Sequence, residues 1–307
     1  MSAASGHRTT APAGTAPDRS GGQGRTLRTA VENRLPVRLR RAQAFRAVHG
    51  RYPSLRSPRT FSEKMNWRIL RDRRELLRDA CDKLAMKERV RRSGAAVRVP
   101  EVLWSGADPG ELLDVPLPEQ WVLKPNHRAN GLVLFGEGPV EDAADLRSRT
   151  RGWCRLGSHA TTLGEWAYTQ ARRCLLVEER VPGDRQPADL KVLVFDGRPA
   201  LVELHQDRFG AHRQLLFRPD GTPVGPSPAG GAAPEQLDDL LAAAARIADG
   251  FDFLRVDLYV ADGQVWFGEL TPYAGSGLAG ALGPALEREL GALWRLPDLR
   301  PAAGSQR

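Results

Sequence analysis

The chain has 307 residues, 41% of them hydrophobic, which is enough to build one large domain or two modest domains with buried cores. A disordered or fibrous protein is therefore excluded as a description of the whole chain. Lys and Arg number 45 and Asp and Glu number 37, so the net charge is +8. Much of this surplus lies in residues 25–51, so it is weak evidence for a nucleic-acid partner, and none is expected.

Cysteine content and hydrophobicity indicate the compartment. The three cysteines, Cys81, Cys154 and Cys174, lack the paired spacing of a disulfide framework or a zinc site. No run approaches the roughly 18 apolar residues of a membrane span, and the N-terminus lacks the apolar core of a secretory signal. These features predict a soluble protein of the reducing cytoplasm.

The first 50 residues differ from the rest of the chain. Residues 1–26 are predicted to form a disordered tail, because the first 24 include no Val, Ile, Leu, Phe, Tyr or Trp. Residues 27–50 form a basic helical segment interrupted by Pro36. We expect a solvated helix that packs by its apolar side, and a peripheral contact of its arginines with a membrane surface or a partner is the alternative.

Helix signals dominate the next segment, the N-terminal region 51–118. Thr60 and Glu63 have the spacing of a capping box, and apolar residues then recur at helical spacing as far as Leu70. A second helix is predicted over residues 79–93, with Gly94 at the position of a left-handed cap. Short strands are predicted over residues 102–104, 121–124 and 132–135.

The second half of the chain mixes strands and helices. A helix over residues 166–173 precedes a strand over 174–181, and Asp196-Gly197 predicts a hairpin between strands 190–195 and 200–204. An apolar stripe predicts a helix over residues 237–248 that ends by Gly250. Strands over 253–260 and 265–270 form a final hairpin. Because no regular βαβ rhythm appears, the fold class is predicted to be α+β.

The final hairpin carries the most informative polar pattern. Period-two alternation places Arg255, Asp257 and Tyr259 on one face of their strand. A three-residue loop, 262–264, would place Asp257 directly opposite Glu269, with Ala261 paired to Val265. A two-residue Asp262-Gly263 turn would instead pair Val256 with Glu269 and separate the acids. The interpretation of the two acids as a pair therefore requires the three-residue loop.

Two carboxylates opposed across a hairpin repel each other unless a cation lies between them. Oxygen ligands of this kind suit Mg²⁺, which uses one or two carboxylates and completes its shell with water and phosphate oxygens. The alternative is that Arg255, Asp257 and Glu269 form the solvated side of an antiparallel sheet. Taken alone, the hairpin favours this alternative.

A lysine at the end of an apolar strand suggests a phosphate site. Lys124 ends the strand 121–124 and is followed by a polar loop, 126–131. A lysine beside exposed loop amides can hold a polyphosphate. The alternative is an edge strand with a solvated lysine.

Taken together, these segments resemble the ATP-grasp superfamily and, within it, the TupA-like group named for teichuronopeptide biosynthesis. The resemblance spans about residues 50–297, in the family's order. The stretches that carry it are Thr60-Phe-Ser-Glu-Lys64 with Trp67, Asp82-Lys83, Val122-Leu-Lys-Pro-Asn-His127, Asp189-Leu-Lys191 through Gly197, Arg255-Val-Asp-Leu-Tyr259, and Phe267-Gly-Glu-Leu-Thr271 with Gly275-Ser-Gly277.

The resemblance implies a role for each matching residue. Lys83 and Lys124 match the lysines that hold ATP phosphates, and Lys191 occupies a basic position near them. Glu178 and the backbone near Val181 match the adenine hinge, and Asp189 matches the ribose contact. Arg255 matches the arginine that steadies the transferred phosphoryl group. Asp257 and Glu269 match the magnesium carboxylates, and Thr271 stands where many relatives place an asparagine ligand.

Two further positions allow more than one interpretation. His127 is a candidate substrate-binding group or proton shuttle, and a structural histidine is the alternative. The family usually has small residues after this histidine, whereas Arg128 and Ala129 follow it here. Ser276, between two glycines, offers backbone amides to a carboxylate or an oxyanion, and an ordinary glycine-rich turn is the alternative.

The resemblance implies an ATP-grasp fold, in which ATP is held between two α+β lobes, 119–182 and 183–298, with the metal site in the second and a flexible C-terminus at 299–307. It implies a ligase that uses Mg²⁺ and ATP to join a carboxylate to an amine through an acylphosphate. The small-molecule substrates would be an amino acid, a peptide-like compound or a cell-surface polymer. The alternatives are a kinase acting on a sugar or other small molecule, and a non-catalytic basic module that binds nucleic acid or a membrane surface. The oligomeric state is not predicted.

Overall fold

Two antiparallel sheets form the frame of the protein. The structure, a computed structural model, describes residues 35–128, 132–183, 189–206, 213–225 and 232–299. Within these residues, helices accompany two sheets whose neighbouring strands are antiparallel, which confirms the predicted α+β class. The predicted tail 1–26 lies outside the described residues, as does all of the predicted flexible C-terminus 299–307 except Leu299.

From residue 35 onward, where the described part of the chain begins, four helices precede the first strand: α1 (Val37–His49), α2 (Phe61–Arg71), α3 (Glu75–Asp79) and α4 (Lys83–Arg92). The predicted capping box of α2 is confirmed, because the Thr60 side chain accepts from the Glu63 amide and the Glu63 carboxylate accepts from the Thr60 amide at 3.1 Å. The helix predicted over residues 79–93 is confirmed, but its predicted start is wrong, because α4 begins at Lys83. The Asp82 side chain accepts from the Ala85 amide at 2.9 Å and thereby begins a new helix at Lys83.

The first sheet contains β1 (Val102–Gly106), β2 (Gln120–Pro125), β3 (Leu134–Glu137) and β4 (Leu175–Glu179), in the order β1-β4-β2-β3. Three short helices connect β3 to β4: α5 (Ala143–Arg149), α6 (Ser158–Thr161) and α7 (Trp166–Gln170). The predicted strands are therefore confirmed with shifted ends, β3 beginning at Leu134 rather than Leu132. A small separate core, including Trp121, Leu123 and Val177, lies beneath this sheet.

The second sheet is larger and carries the C-terminal half of the chain. Its strands are β5 (Asp189–Phe195), β6 (Arg198–Gln206), β7 (Arg213–Phe217), β8 (Phe253–Ala261) and β9 (Gln264–Thr271), in the order β7-β6-β5-β8-β9. The helices are α8 (Leu237–Ile247), which was predicted, and α9 (Gly283–Leu293), which was not. Strand β7 was also missed. Its first residues, Arg213 and Gln214, are exposed at the sheet edge and lack an apolar alternation.

The turn of the final hairpin differs from the prediction. Asp262 and Gly263 form a two-residue turn with φ of 50° and 68°, and Ala261 pairs with Gln264, so the three-residue loop is wrong. A bulge restores the predicted opposition, because the register shifts between Asp257 and Leu258 and Asp257 faces Glu269. Asp257 and Glu269 therefore face each other as predicted, although the three-residue loop on which that prediction depended is not formed.

Gly268 is the extra residue of this bulge. Leu258 pairs with Phe267 and Asp257 pairs with Glu269, which leaves Gly268 unpaired between them. A Cβ atom at this position would lie 2.8 Å from the Tyr259 ring and 2.9 Å from the Asp257 carbonyl oxygen. Only glycine fits without a shift of the backbone, so Gly268 sets the register of the two acids.

Helix α1 packs against the body through both an apolar and a charged residue. Phe45 is buried, as the prediction of an apolar packing side requires. Arg41 is also buried: it donates to Asn66 Oδ1 at 2.9 Å, to the Leu163 carbonyl at 2.7 Å and to the Ser276 carbonyl. Burial lowers the pKa of Arg41 to about 10, against the opposing influence of Glu165 and Tyr273. One arginine thus ties α1 to three separate segments.

The bulge can be tested by adding a methyl group. We expect Gly268→Ala to lower the free energy of unfolding by about 1–3 kcal/mol, since the new Cβ must displace a backbone carbonyl or an aromatic ring. The measurement is urea unfolding followed by tryptophan fluorescence. Gly263→Asn is the matched control, because asparagine tolerates the positive φ of a turn and nothing lies within 4 Å of a Cβ there. Equal losses in the two variants would contradict the assignment.

The anchoring of α1 can be tested in the same way. We expect Arg41→Met to cost about 3 kcal/mol or more, because the carbonyl and amide oxygens that Arg41 satisfies would remain buried without a donor. Arg38→Met, at an exposed position of the same helix, should change the free energy of unfolding by less than about 0.5 kcal/mol. A small effect of Arg41→Met would show that α1 is not held through this side chain.

Candidate active site

A row of charged side chains crosses four strands of the second sheet. In the pairing register, Glu203 of β6 faces Lys191 of β5, Lys191 faces Asp257 of β8, and Asp257 faces Glu269 of β9. Since residues paired side by side point to the same face, all four side chains lie on one surface of the sheet. The structure therefore brings the two predicted metal carboxylates together with a predicted phosphate-binding lysine.

Two cations hold Asp257, which is 5% exposed. Arg255 donates to both of its carboxylate oxygens at 2.7 Å, and Lys191 donates to Oδ2 at 2.9 Å. Burial opposes ionisation, but Arg255 and Lys191 together hold the pKa of Asp257 below its ordinary value. The carboxylate is therefore ionised and its position is fixed.

Glu269 is more open than Asp257. Its side chain is 30% exposed, and its contacts are long: Thr271 Oγ1 at 3.3 Å and Lys83 Nζ at 3.7 Å. Thr271 also accepts from Arg255 at 3.1 Å. The predicted metal ligands Asp257, Glu269 and Thr271 are thus neighbours, joined through Arg255.

On the first sheet, Glu178 holds two lysines. Its buried carboxylate forms ion pairs with Lys124 of β2 and with Lys87 of α4, the latter at 2.9 Å. Lys87 also donates to the Pro100 carbonyl at 2.7 Å. Burial opposes ionisation of Glu178, but Lys124 and Lys87 hold its pKa below the ordinary value. In this structure the carboxylate positions Lys124, and its place in the adenine hinge remains a prediction.

Helix α4 connects the two sheets at the site. Lys83 and Lys87 are one turn apart and lie on the same face of the helix. Lys83 extends toward Glu269 of the second sheet, and Lys87 pairs with Glu178 of the first. The α4 terminus is bound to the loop after β2, since the Leu84 amide donates to Asn126 Oδ1 at 2.9 Å. Lys83 itself also donates to the Arg128 carbonyl at 2.7 Å.

The remaining predicted nucleotide contacts lie around this cluster. Asp189 begins β5 and accepts from Lys191 at 2.6 Å, so the predicted ribose contact and the predicted basic residue form an ion pair. Val181 lies two residues beyond β4, in the partly exposed chain that follows Glu179.

His127 lies in the interior. It is 1% exposed, and its Nε2 is 3.1 Å from the Arg155 carbonyl oxygen. Burial lowers its pKa, and Arg128 and Lys83 contribute in the same direction. In this structure the His127 ring therefore fastens the loop after β2 to the segment that follows α5, and its role toward a substrate remains a prediction.

The turn around Ser276 uses its amide internally. Ser276 has a φ of 55°, and its backbone N–H donates to the Tyr273 carbonyl at 2.8 Å. Its carbonyl accepts from Arg41. The predicted use of this amide for a substrate carboxylate would require that internal bond to break, so the arrangement favours the alternative of a structural turn.

The donor set fits a magnesium ion. Asp257 and Glu269 face each other on paired strands, and the Thr271 hydroxyl lies 3.3 Å from the Glu269 carboxylate. Hard oxygen donors of this kind suit Mg²⁺. No group of three or more His, Cys, Asp and Glu side chains with metal-binding geometry occurs among the described residues. A metal here would be held by Asp257, Glu269 and Thr271, with Glu269 the more accessible carboxylate.

Lys87 and Glu203 were not predicted from the sequence as residues of the site. Lys87 had a signal, because it follows Lys83 by four residues on a helix that was already predicted. Glu203 lay on a predicted strand, but its position beside Lys191 depends on the register of the hairpin around Asp196-Gly197. That hairpin contains a register shift between Leu193 and Val194, which the sequence alone does not reveal.

The helices were also compared with the requirements of a membrane span. Among the helices in the part of the chain that the structure describes, none has both the length and the apolar composition needed to cross a bilayer.

Comparisons with solved structures returned ATP-grasp proteins of low similarity. D-Alanine–D-alanine ligase from Bacillus anthracis, complexed with ATP, is 19% identical, with a TM-score of 0.37, and the match covers 70% of this chain and 63% of that one. The ATP-grasp ligase PsnB with its minimal precursor is 15% identical, with coverage of 68% and 56% and a TM-score of 0.35. The chain thus spans less than two thirds of these proteins' lengths.

A family model gives the decisive comparison. No curated protein sequence matches the chain significantly. The model described as TupA-like ATPgrasp matches residues 63–295, about three quarters of the sequence, and this range includes every predicted site residue. The family match supports the general class of an ATP-dependent ligase. The chain belongs to the TupA-like ATP-grasp family.

Proposed function

We propose that the protein is an ATP-dependent carboxylate–amine ligase that forms an amide bond through an acylphosphate. The observation that supports this most directly is the opposed pair Asp257 and Glu269, with Arg255 held against Asp257 at 2.7 Å. Phosphoryl transfer requires little covalent chemistry from a protein. The main requirements are neutralisation of the phosphate charge and orientation of the γ-phosphoryl group. This cluster offers both.

The phosphate end of ATP would lie between the two sheets. Lys83 and Lys124 would bind its phosphate oxygens, with Lys191 nearby. When bound, Mg²⁺ would supply positive charge to the same oxygens. Arg255 is held through Nε and Nη2 by the Asp257 carboxylate, so its guanidinium is already oriented before any substrate arrives. Asp257, Glu269 and Thr271 would hold the metal.

The base of ATP would lie by the end of β4 in the first sheet, and the sugar would lie by the start of β5 in the second sheet. The backbone at Val181 would contact the adenine and Asp189 the ribose. Glu178 contributes indirectly, because its carboxylate sets the position of Lys124. The carboxylate to be activated would then lie on the far side of the γ-phosphate, near Arg255. We propose an amino acid or a peptide-like or polymer-bound compound as the substrate, a choice that the family resemblance supports.

The reaction can be identified by its products. Purified protein, Mg²⁺ and ATP are incubated with pools of amino acids, and the products are analysed by mass spectrometry. A ligase forms ADP, phosphate and an amide. ADP with a phosphorylated product and no amide would instead support the kinase. No nucleotide consumption or binding with any pool would contradict both enzymatic proposals.

The metal carboxylates should be required for turnover and not for folding. We expect Glu269→Gln to lower the rate of ADP formation by about 10²–10³, since a positioned charge that acts on the phosphates is lost. Its stability should change little, because the side chain is partly exposed and weakly bonded. Glu235→Gln, at an exposed position just before α8, is the control. Chelation of Mg²⁺ should abolish ADP formation, and normal turnover in Glu269→Gln would refute the assignment.

Glu178 gives a prediction that needs no substrate. We expect Glu178→Gln to lower the free energy of unfolding at neutral pH by about 3 kcal/mol, because Lys87 and Lys124 lose their buried counter-charge. The pKa of Glu178 is lowered in the folded state from an ordinary value of 4.5. The unfolded chain therefore binds more protons as the pH falls below that value, and the stabilisation is lost on acidification.

Urea unfolding at a series of pH values measures both effects. The wild type should lose stability more steeply than Glu178→Gln as the pH falls through about 5 to 3. Glu179→Gln is the matched control, because this neighbour points to the other face of β4 and accepts from the Glu101 amide at 3.0 Å. Parallel pH profiles in the wild type and Glu178→Gln would contradict the proposed ion pairs.

A further inference from the structure

Lys87 is a buried cation that the proposed mechanism does not use. Its Nζ lies 2.9 Å from Glu178 Oε2 and donates to the Pro100 carbonyl at 2.7 Å. Burial lowers the pKa of Lys87 to about 8 although Glu178 opposes the change, and Lys124 adds to the lowering. Lys87 is therefore still mainly protonated at neutral pH, and its charge lies inside the protein.

Glu178 lies between Lys87 and Lys124. Its carboxylate pairs with Lys87 through Oε2 and with Lys124 through Oε1. The three side chains become more exposed along this line, from 2% for Lys87 through 8% for Glu178 to 17% for Lys124. Lys87 is thus the inner end of the cluster, and Lys124 is the end that reaches solvent.

The two lysines are held to different degrees. Lys87 is bound to the Pro100 carbonyl as well as to Glu178. For Lys124, the part of the chain that the structure describes provides one acceptor, the Glu178 carboxylate. Lys124 can therefore leave the cluster with the loss of one partner, whereas Lys87 would lose two.

The charge of Lys124 is needed in two places. The proposed function assigns this lysine to the phosphates of ATP, yet in this structure its ammonium group neutralises Glu178. Removal of one partner from a buried ion pair is strongly destabilising when the other partner keeps its charge. If Lys124 were the single counter-ion of Glu178, this penalty would oppose its movement to a phosphate and weaken nucleotide binding.

We propose that Lys87 is a positioning residue for nucleotide binding: it neutralises Glu178, so that Lys124 can turn from this carboxylate to a phosphate. The inference rests on the proposed function, which assigns Lys124 to the phosphates. Lys87 acts through Glu178 and does not contact the nucleotide. No covalent bond forms or breaks in this step, and each lysine keeps its proton.

The use of lysine in this chain agrees with such a role. Lysine occurs five times in the sequence, and four of these residues lie at the candidate site: Lys83, Lys87, Lys124 and Lys191. An ammonium group carries its charge on one atom at the end of a flexible stem, whereas a guanidinium binds a carboxylate through a rigid fork. Lys124 can therefore exchange Glu178 for a phosphate by rotation of its own side chain.

Equilibrium binding tests the inference without any turnover. Isothermal titration calorimetry at about pH 7 measures the Kd of adenylyl imidodiphosphate, an ATP analogue that resists hydrolysis, in the presence of Mg²⁺. We expect Lys87→Met to raise this Kd about tenfold or more, because Lys124 would then have to remain with Glu178. Lys87→Arg keeps the charge and should stay within about threefold of the wild type.

A double-mutant cycle separates this role from a general loss of structure. With Glu178→Gln no carboxylate charge is left to neutralise, so Lys87→Met added to that variant should change the Kd by less than about threefold. The double variant should fold, since neither member of the ion pair is left without the other, and urea unfolding checks this. Arg91→Met, at an exposed position one turn further along α4, is the control and should leave the Kd unchanged.

NMR of the lysine ammonium groups follows the exchange in the wild-type protein. Five lysines give a spectrum that can be assigned by substitution, and Lys87→Arg and Lys124→Arg identify their signals in ¹⁵N-lysine-labelled protein. Addition of Mg²⁺ and the analogue should shift the Lys124 signal more than the Lys87 signal. The signal of Lys64, which donates to the Trp294 carbonyl outside the site, is the internal reference.

The outcomes distinguish the two proposals. If the wild type does not bind the analogue, the proposed function fails and the role of Lys87 fails with it. If the wild type binds the analogue and Lys87→Met binds it equally well, the role of Lys87 alone is overturned. The same conclusion follows if Lys87→Met weakens binding by the same factor with and without Glu178, or if the Lys87 signal moves and the Lys124 signal does not.

Discussion

The site depends on one electrostatic constraint: two carboxylates face each other across a pair of buried strands. Asp257 and Glu269 would repel, and the sheet tolerates them because Arg255 and Lys191 hold Asp257 while Lys83 lies 3.7 Å from Glu269. These cations belong to the groups that the proposed mechanism assigns to phosphate. Asp257 and Glu269 would hold Mg²⁺, which would supply positive charge to the same site when bound, and Lys83 and Lys191 would then be available to bind the phosphates.

The same constraint explains why α4 begins where it does. The Asp82 cap starts the helix at Lys83, and the helical turn then presents Lys83 to the second sheet and Lys87 to the first. A helix that began four residues earlier, as predicted from the sequence, would not be fixed to the loop after β2 through Asn126. The cap is thus a local feature with a consequence for the geometry between the two sheets.

Local signals carried much of the prediction, and long-range packing set its limit. The capping box at Thr60, the Asp-Gly turns and the alternation around Asp257 are determined by neighbours in sequence, so they predicted α2, two hairpins and the face of the acids. The bulge at Gly268 depends on contact with Tyr259 across the hairpin. The facing of Asp257 and Glu269 was therefore predicted from a turn that does not exist, and the family resemblance, rather than the register argument, identified the correct pair.

Helix α1 shows why basic charge in a sequence is weak evidence for a binding surface. It lies before the range that the family model matches, and its arginines suggested an anionic partner. One of them, Arg41, is instead buried and joins Asn66 of α2, the Leu163 carbonyl and the turn at Ser276. The Leu163 contact fixes the segment between α6 and α7, and the Ser276 contact fixes the chain just beyond the metal carboxylates. This arginine therefore joins α1 to the segment after α6 and to the chain beyond Thr271, which makes α1 a structural part of the folded body.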